Sequence, residues 1–264
     1  MSTPPVVERR LGRVLELTMD NPAQRNALTP DTSQTLTRLL RLAHDDAGIG
    51  AIVLRGEGEH FCAGGNLKTL SEMRASQPPQ AIVARINHVN ELARALRGIA
   101  KPVIAAVEGH AAGAGFSIAL GCDLVVAADN AYFASAYRNS GLTPDGGGSW
   151  ALPRLVGTRR AMEIMLLAER FDARQALAWG LVNRVVPAAE LDAAVAAVVA
   201  SLCEGPRLAI RNAKRLVRES LARTLSEQLD AEATSFGACA ATADFAEGIG
   251  AFLEKRPARF NRDR

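Results

Sequence analysis

The chain runs to 264 residues, 48% hydrophobic and 22% charged, with a formal net charge of +3 and a pI of about 8.8. That length buries about three quarters of the unfolded surface, as one large domain or a domain with an appendage. The apolar fraction excludes disorder, the aperiodic glycines and prolines exclude a collagen-like chain, and three surplus charges are too few to argue for nucleic acid.

Leu15, Leu17 and Met19 alternate with Glu16 and Thr18, the period of a half-buried strand, and Asn21-Pro22 ends it in a turn. Thr29-Pro30-Asp31 reads as a helix start, with a capping hydroxyl, proline at the first helical position and an acid at the positive end. Leu36, Leu39, Leu40 and Ala43 follow on one helical face. Residues 51–54 form a short buried strand. A loop follows, then a helix over about residues 80–96, then a strand at 103–107. Residues 109–115 are a loop of small side chains opening onto a helix at 116–120, and 124–127 return as a strand. Thr158 caps a helix bearing Met162, Met165 and Leu166, Asp172 caps another that Gly180 ends, and 182–186 is a late strand. Near-continuous apolar strands separated by helices predict an α/β fold with largely parallel pairing.

From Leu191 onward only helical patterns appear, over residues 191–203, 206–220, 225–241 and 244–254. A boundary is therefore expected near 200: an α/β core over 1–200, then a helical segment over 201–264 that packs on the core or on a neighbouring subunit. Arg207, Arg211, Arg215 and Arg218 read as a solvated helix face. Four scattered cysteines, Cys62, Cys122, Cys203 and Cys239, show neither a C-x-x-C pair nor zinc spacing, which points to a reducing compartment. Residues 1–10 hold no signal-peptide core. The longest apolar stretch, 103–128, is interrupted by Glu108, Asp123 and glycines, so neither secretion nor a membrane span is expected. The expected setting is the cytoplasm.

Several well-known motifs are missing. Gly113-Ala114-Gly115 begins a G-x-G, but Ile118 stands where a dinucleotide fingerprint needs its third glycine. No phosphate loop, nucleophile elbow or H-E-x-x-H occurs. Two glycine-rich stretches remain, each after a buried strand: Phe61-Cys62-Ala63-Gly64-Gly65-Asn66-Leu67 and Gly109-His110-Ala111-Ala112-Gly113-Ala114-Gly115. They are either tight strand–helix packing or a pair of turns whose N–H groups hold an oxyanion. A third stretch, Gly141-Leu142-Thr143-Pro144-Asp145-Gly146-Gly147-Gly148, makes Asp145 either a turn former or a general base facing a pocket. His60, His110, Glu108 and Asp123 read as structural. Cys62 has no visible base to make it a nucleophile.

In order and spacing, several segments together resemble the enoyl-CoA hydratase/isomerase (crotonase) superfamily. They are Asn21-Pro22 through Asn26-Ala27-Leu28, Phe61-Cys62-Ala63-Gly64, Lys101-Pro102-Val103-Ile104-Ala105-Ala106-Val107, Gly113-Ala114-Gly115, Leu152-Pro153-Arg154-Leu155-Val156-Gly157, residues 176–186 and residues 247–256. The resemblance implies a crotonase-like spiral of ββα turns with a C-terminal helical trimerisation segment, assembled as a homotrimer or a dimer of trimers. It implies an acyl-CoA thioester substrate, with coenzyme A entering as part of that substrate and no metal or redox cofactor. The carbonyl oxygen would lie between the N–H groups of Gly65 and Ala114. Arg25, Ala27, Ala63, Asn66 and Leu67 match positions lining the nucleotide and pantetheine, and Phe252 and Lys255 match C-terminal positions near the coenzyme, sometimes from the adjacent subunit.

The acids depart from the family's hydratases, which carry two glutamates where this chain has Ser117 and Tyr137. Asp145 instead matches the position at which certain isomerases of the family, including phenylacetyl-CoA epoxide isomerases, carry their single acid. The family's aryl-CoA dehalogenases add a histidine and a tryptophan, where this chain has Asn90 and Tyr137, and Tyr137 is expected in the acyl pocket. The reading that follows is an enoyl-CoA isomerase with Asp145 as proton shuttle. The alternatives are an enoyl-CoA hydratase and a non-catalytic acyl-CoA-binding protein.

Overall fold

In the computed structural model, which describes residues 4–261, the chain is a mixed α/β structure, as the strand and helix patterns predict. It begins with the hairpin β1 (Val6–Leu11) and β2 (Val14–Met19), followed by α1 (Pro30–Asp45) and β3 (Ala51–Gly56). Next come α2 (Leu67–Ser76), α3 (Pro79–Gly98), β4 (Val103–Val107), β5 (His110–Ala112), α4 (Ala114–Gly121), β6 (Leu124–Ala128) and β7 (Tyr132–Ala134). The core closes with α5 (Gly148–Leu167), β8 (Phe171–Asp172), α6 (Ala173–Ala178) and β9 (Arg184–Val186). Four helices follow: α7 (Leu191–Glu204), α8 (Arg207–Glu219), α9 (Leu225–Ala240) and α10 (Ala243–Leu253).

The large sheet has the order β1-β2-β3-β4-β6-β9, and every pairing after the opening hairpin is parallel. Its central strands β3, β4 and β6 are apolar on both faces because both faces are covered there. Ile52, Leu54, Val103, Ala105 and Val107 enter the main core beneath α1, α3 and α4. Ala51, Val53, Ile104 and Ala106 point the other way, onto Leu191, Val195, Val198 and Val199 of α7. Residue 200 thus falls within a helix that seals the back of the sheet.

A second sheet, β5-β7-β8, contributes Ala111, Phe133 and Phe171 to the main core. Residues 109–115, expected as loop, contain β5, and β1 and α2 lie where no element is expected. Helix starts are read more closely. The Thr29 side chain accepts from the Thr32 N–H, and Asp172 forms a capping box with Gln175. The start expected at Thr158 follows Gly157, which breaks α5 with φ 74° and ψ 163°. Among the described residues, no single helix is long and apolar enough to cross a membrane.

Candidate active site

The two glycine-rich stretches meet. Residues 61–65 are pinned on one side by Ala63 N–H to the Arg25 carbonyl (2.9 Å) and Leu28 N–H to the Gly64 carbonyl (2.7 Å). On the other side, Cys62 N–H donates to the His110 carbonyl (2.9 Å) and Ala112 N–H to the Cys62 carbonyl (3.0 Å). The junction closes through Gly64, at φ +86°, where a Cβ would lie 2.6 Å from the Ala112 oxygen and 3.0 Å from the Ala114 nitrogen. Only glycine allows that approach. Gly113 then turns the chain into α4, leaving Ala114 as its first residue. Among the described residues, neither the Gly65 nor the Ala114 N–H has a backbone partner, and both residues line one cavity of about 520 Å³. Two free donors in one cavity wall can hold a developing oxyanion.

Asp145 lines the same cavity and is the one carboxylate among its described lining residues. Its turn docks on α3 and α4. A Cβ on Gly146 would sit 3.2 Å from Val89 Cγ1, and one on Gly148 would sit 2.4 Å from Ser117 Oγ. Tyr137, in a short 3-10 turn (Ala136–Ser140), brings its hydroxyl to the same place. It donates to Asp145 Oδ1 at 2.6 Å and lies 3.0 Å from Ser117 Oγ. Ser117, Tyr137 and Asp145 are therefore joined in a single hydrogen-bonded chain. Burial raises the Asp145 carboxyl above its usual range, while the bond from Tyr137 pulls it back. Burial and the neighbouring carboxylate push the Tyr137 phenol well above its ordinary value, so it remains a neutral donor.

Of the other expected residues, Ala63 and Leu67 line the cavity. Arg25, Ala27 and Asn66 lie on adjoining chain outside its wall. Arg25 sits 3.4 Å from His110 Nδ1, Ala27 is buried, and Asn66 caps α2 while donating to Gln24. Phe252 and Lys255 do not reach the cavity of their own chain. Phe252, 82% exposed at the end of α10, faces a separate crevice with Pro206 and Phe260. Lys255 follows that helix on the surface.

Cys62 is no nucleophile, because burial pushes its thiol up to about 12. The His60 and His110 rings stack at 4.4 Å outside the cavity. Burial, then His60, Arg25 and Arg170, hold His110 down to about 4. Glu108 is bonded to Asn130. The Tyr137–Asp145 bond and two arginines in the cavity wall, Arg74 and Arg85, are not among the expected site features. Arg85 was detectable as a member of the helical stripe Ile82, Arg85, Ile86, Val89, whereas Arg74 lies on a helix with no buried residue.

A family model described as enoyl-CoA hydratase/isomerase matches residues 9–263. The chain is 40% identical to a probable enoyl-CoA hydratase of Rhodobacter capsulatus over 244 residues, covering 92% of this chain and 93% of that one. It is 35% identical over 247 residues to the 1,2-epoxyphenylacetyl-CoA isomerase of Escherichia coli, covering 94% of each. The crystal structure of an enoyl-CoA hydratase from a Polaromonas species superposes with a TM-score of 0.93 at 39% identity, over 97% of this chain and 99% of that one. The spiral α/β fold with a helical C-terminal part is shared with these structures.

Proposed function

The chain belongs to the enoyl-CoA hydratase/isomerase family, and from that premise we propose that it shifts the double bond of an enoyl-CoA thioester, with Asp145 carrying the proton. The observation that carries this reading is Asp145, the one carboxylate among the described lining residues of the cavity, which accepts from the Tyr137 hydroxyl, itself 3.0 Å from Ser117 Oγ. In the proposed reaction Asp145 removes a proton from the α-carbon of a 3-enoyl thioester. The electron pair moves onto the carbonyl oxygen, which the Gly65 and Ala114 N–H groups receive. Collapse of the dienolate takes a proton at the γ-carbon from the Asp145 carboxyl, which exchanges its proton with solvent, and leaves the 2-enoyl ester. One carboxylate with a raised pKa suits both halves, since it must accept a proton and release it again. The reaction needs only the coenzyme A that arrives with the substrate.

A homotrimer or a dimer of trimers is proposed with it. Large apolar side chains on the C-terminal helices and just before α9, including Leu221, Leu225, Phe236 and Phe252, are exposed in the single chain. Phe252 and Lys255 would then meet the coenzyme of a neighbouring subunit.

Hydration of a 2-enoyl-CoA, with Asp145 alone holding the water, is the second reading. It is favoured by the hydratase names of relatives such as the Rhodobacter protein. An acyl-CoA-binding protein without turnover is a third. Incubation with a 3-enoyl-CoA in heavy water, followed by NMR, separates them. The isomerase gives the 2-enoyl ester with deuterium at the α- or γ-carbon, at a rate that falls about 100-fold or more in Asp145→Asn. A hydroxyacyl product accumulating from the conjugated ester would establish the hydratase instead. Equal turnover in the variant would overturn the assignment of Asp145, and bound ester without any turnover would leave the binding protein.

A further inference from the structure

Arg74 and Arg85 stand in the wall of the cavity that holds Asp145, and among the described residues no acid answers them. Arg74 lies in the last turns of α2 beyond Leu70, and Arg85 lies in the second turn of α3, in the stripe Ile82, Arg85, Ile86, Val89. Val89 is the end of that stripe touching the catalytic turn, through Gly146, the residue after Asp145. Arg85 is one helical turn away, about 6 Å along the axis. A ligand held at Asp145 and extending along α3 therefore crosses apolar surface and then meets a guanidinium.

Arg85 is half-buried, and its hydrogen bond is a long one, 3.4 Å to the Leu28 carbonyl. Among the described residues, no carboxylate pairs with it or with Arg74. Burial lowers the pKa of Arg85, and no neighbouring acid opposes the shift. A desolvated cation without a counter-charge is unfavourable unless a ligand supplies one, and a guanidinium offers a fork of donors matched to two carboxylate oxygens.

We propose that the preferred acyl group ends in a carboxylate, carried at the far end of a short aliphatic chain and received by Arg85, with Arg74 at the more exposed margin. This inference rests on the acyl-CoA reading of the cavity and adds the class of acyl group. A guanidinium accepts the phosphates of coenzyme A by the same chemistry, so the test must separate the two oxyanions.

Binding of saturated thioesters does so, because it needs no turnover. Calorimetric titration of the wild-type protein with hexanedioyl-CoA, hexanoyl-CoA and free coenzyme A is expected to show the dicarboxylic ester binding at least tenfold more tightly than the monocarboxylic one. Arg85→Gln erases that preference, so that the two esters bind alike, and Arg85→Lys restores part of it. Equal affinity of the wild-type protein for both esters would overturn the proposal. So would an Arg85→Gln variant that weakens both esters and free coenzyme A by the same factor, since the arginine would then hold phosphate. If the preference is found but Asp145→Asn keeps full turnover, the proton-shuttle reading fails and the acyl-group assignment stands.

Discussion

Burial of the Asp145 carboxyl favours its neutral form, and the Tyr137 hydroxyl bonded to Oδ1 favours the anion, so the two effects set where the base ionises. The net direction is upward. The activity that depends on this base therefore rises with pH through a midpoint above the ordinary carboxylate value of about 4 and then levels off. Tyr137→Phe keeps the ring that lines the cavity and deletes only the donor. The ionised form loses a hydrogen bond, the midpoint of kcat/KM moves to higher pH, and the rate near neutrality falls about tenfold, as expected for a bond to a charged group. A variant with a lower rate but an unmoved midpoint would make the phenol a wall residue and nothing more. The bond itself was not legible from sequence. Tyr137 and Asp145 are eight residues apart, and they meet only because the turn at Gly141, with φ +67°, folds the chain back toward α4.

At the scale of elements, what could be read depended on burial and length. The start of α1, the cap at Asp172 and the strands β3, β4 and β6 were visible because each carries its own local signal: a cap, or an apolar run bounded by glycine. Helix α2 was not, because none of its residues is buried in the single chain and apolar periodicity has nothing to mark. Strands β5 and β7 have three residues each and β8 has two, too few to display a period. Both glycine-rich turns around Gly65 and Ala114 are visible in the sequence, while their contact is a property of the fold. That contact makes a sharp contrast testable. Gly64→Ala puts a methyl group against Ala112 and Ala114 at a positive φ, whereas the same change at Gly65 meets only Leu70 Cδ1 at 3.8 Å. Gly64→Ala is expected to misplace a donor and cost about 100-fold in kcat, with a lower unfolding midpoint. Gly65→Ala is expected to keep its turnover within a few-fold and its midpoint close to wild type. Similar losses in both would mean that the junction between the turns is not what aligns the donors.

Across the whole molecule, the C-terminal helices are tied to the core by a cluster of charges around Asp123 that includes Arg218, expected on a solvated helix face. Arg218 is not on a wet face: its side chain is 13% exposed and donates to Asp123 Oδ1 at 2.7 Å and to the Leu96 carbonyl at 2.8 Å. Lys214, 9% exposed, reaches Asp123 Oδ2 at 2.6 Å, and the same oxygen accepts the Val103 N–H at 2.8 Å. One carboxylate at the start of β6 thus answers two buried cations of α8 and the first residue of β4. Burial lowers Lys214 to about 8, with Asp123 opposing it, so in the folded state the amine loses its proton well before an unfolded lysine does. Between pH 8 and the unfolded value of about 10.4 the unfolded chain binds the extra proton, so the Lys214 contribution makes stability rise with pH in that window. Asp123→Asn preserves shape and removes the counter-charge, leaving two cations buried without it. Urea unfolding at pH 7 is expected to show a loss of about 3–5 kcal/mol, with the midpoint lowered and the slope unchanged. The loss should shrink above pH 8, where Lys214 releases its proton and only Arg218 remains to be answered. A loss that stays constant from pH 7 to pH 10 would assign the cost to Arg218 and the Val103 bond alone.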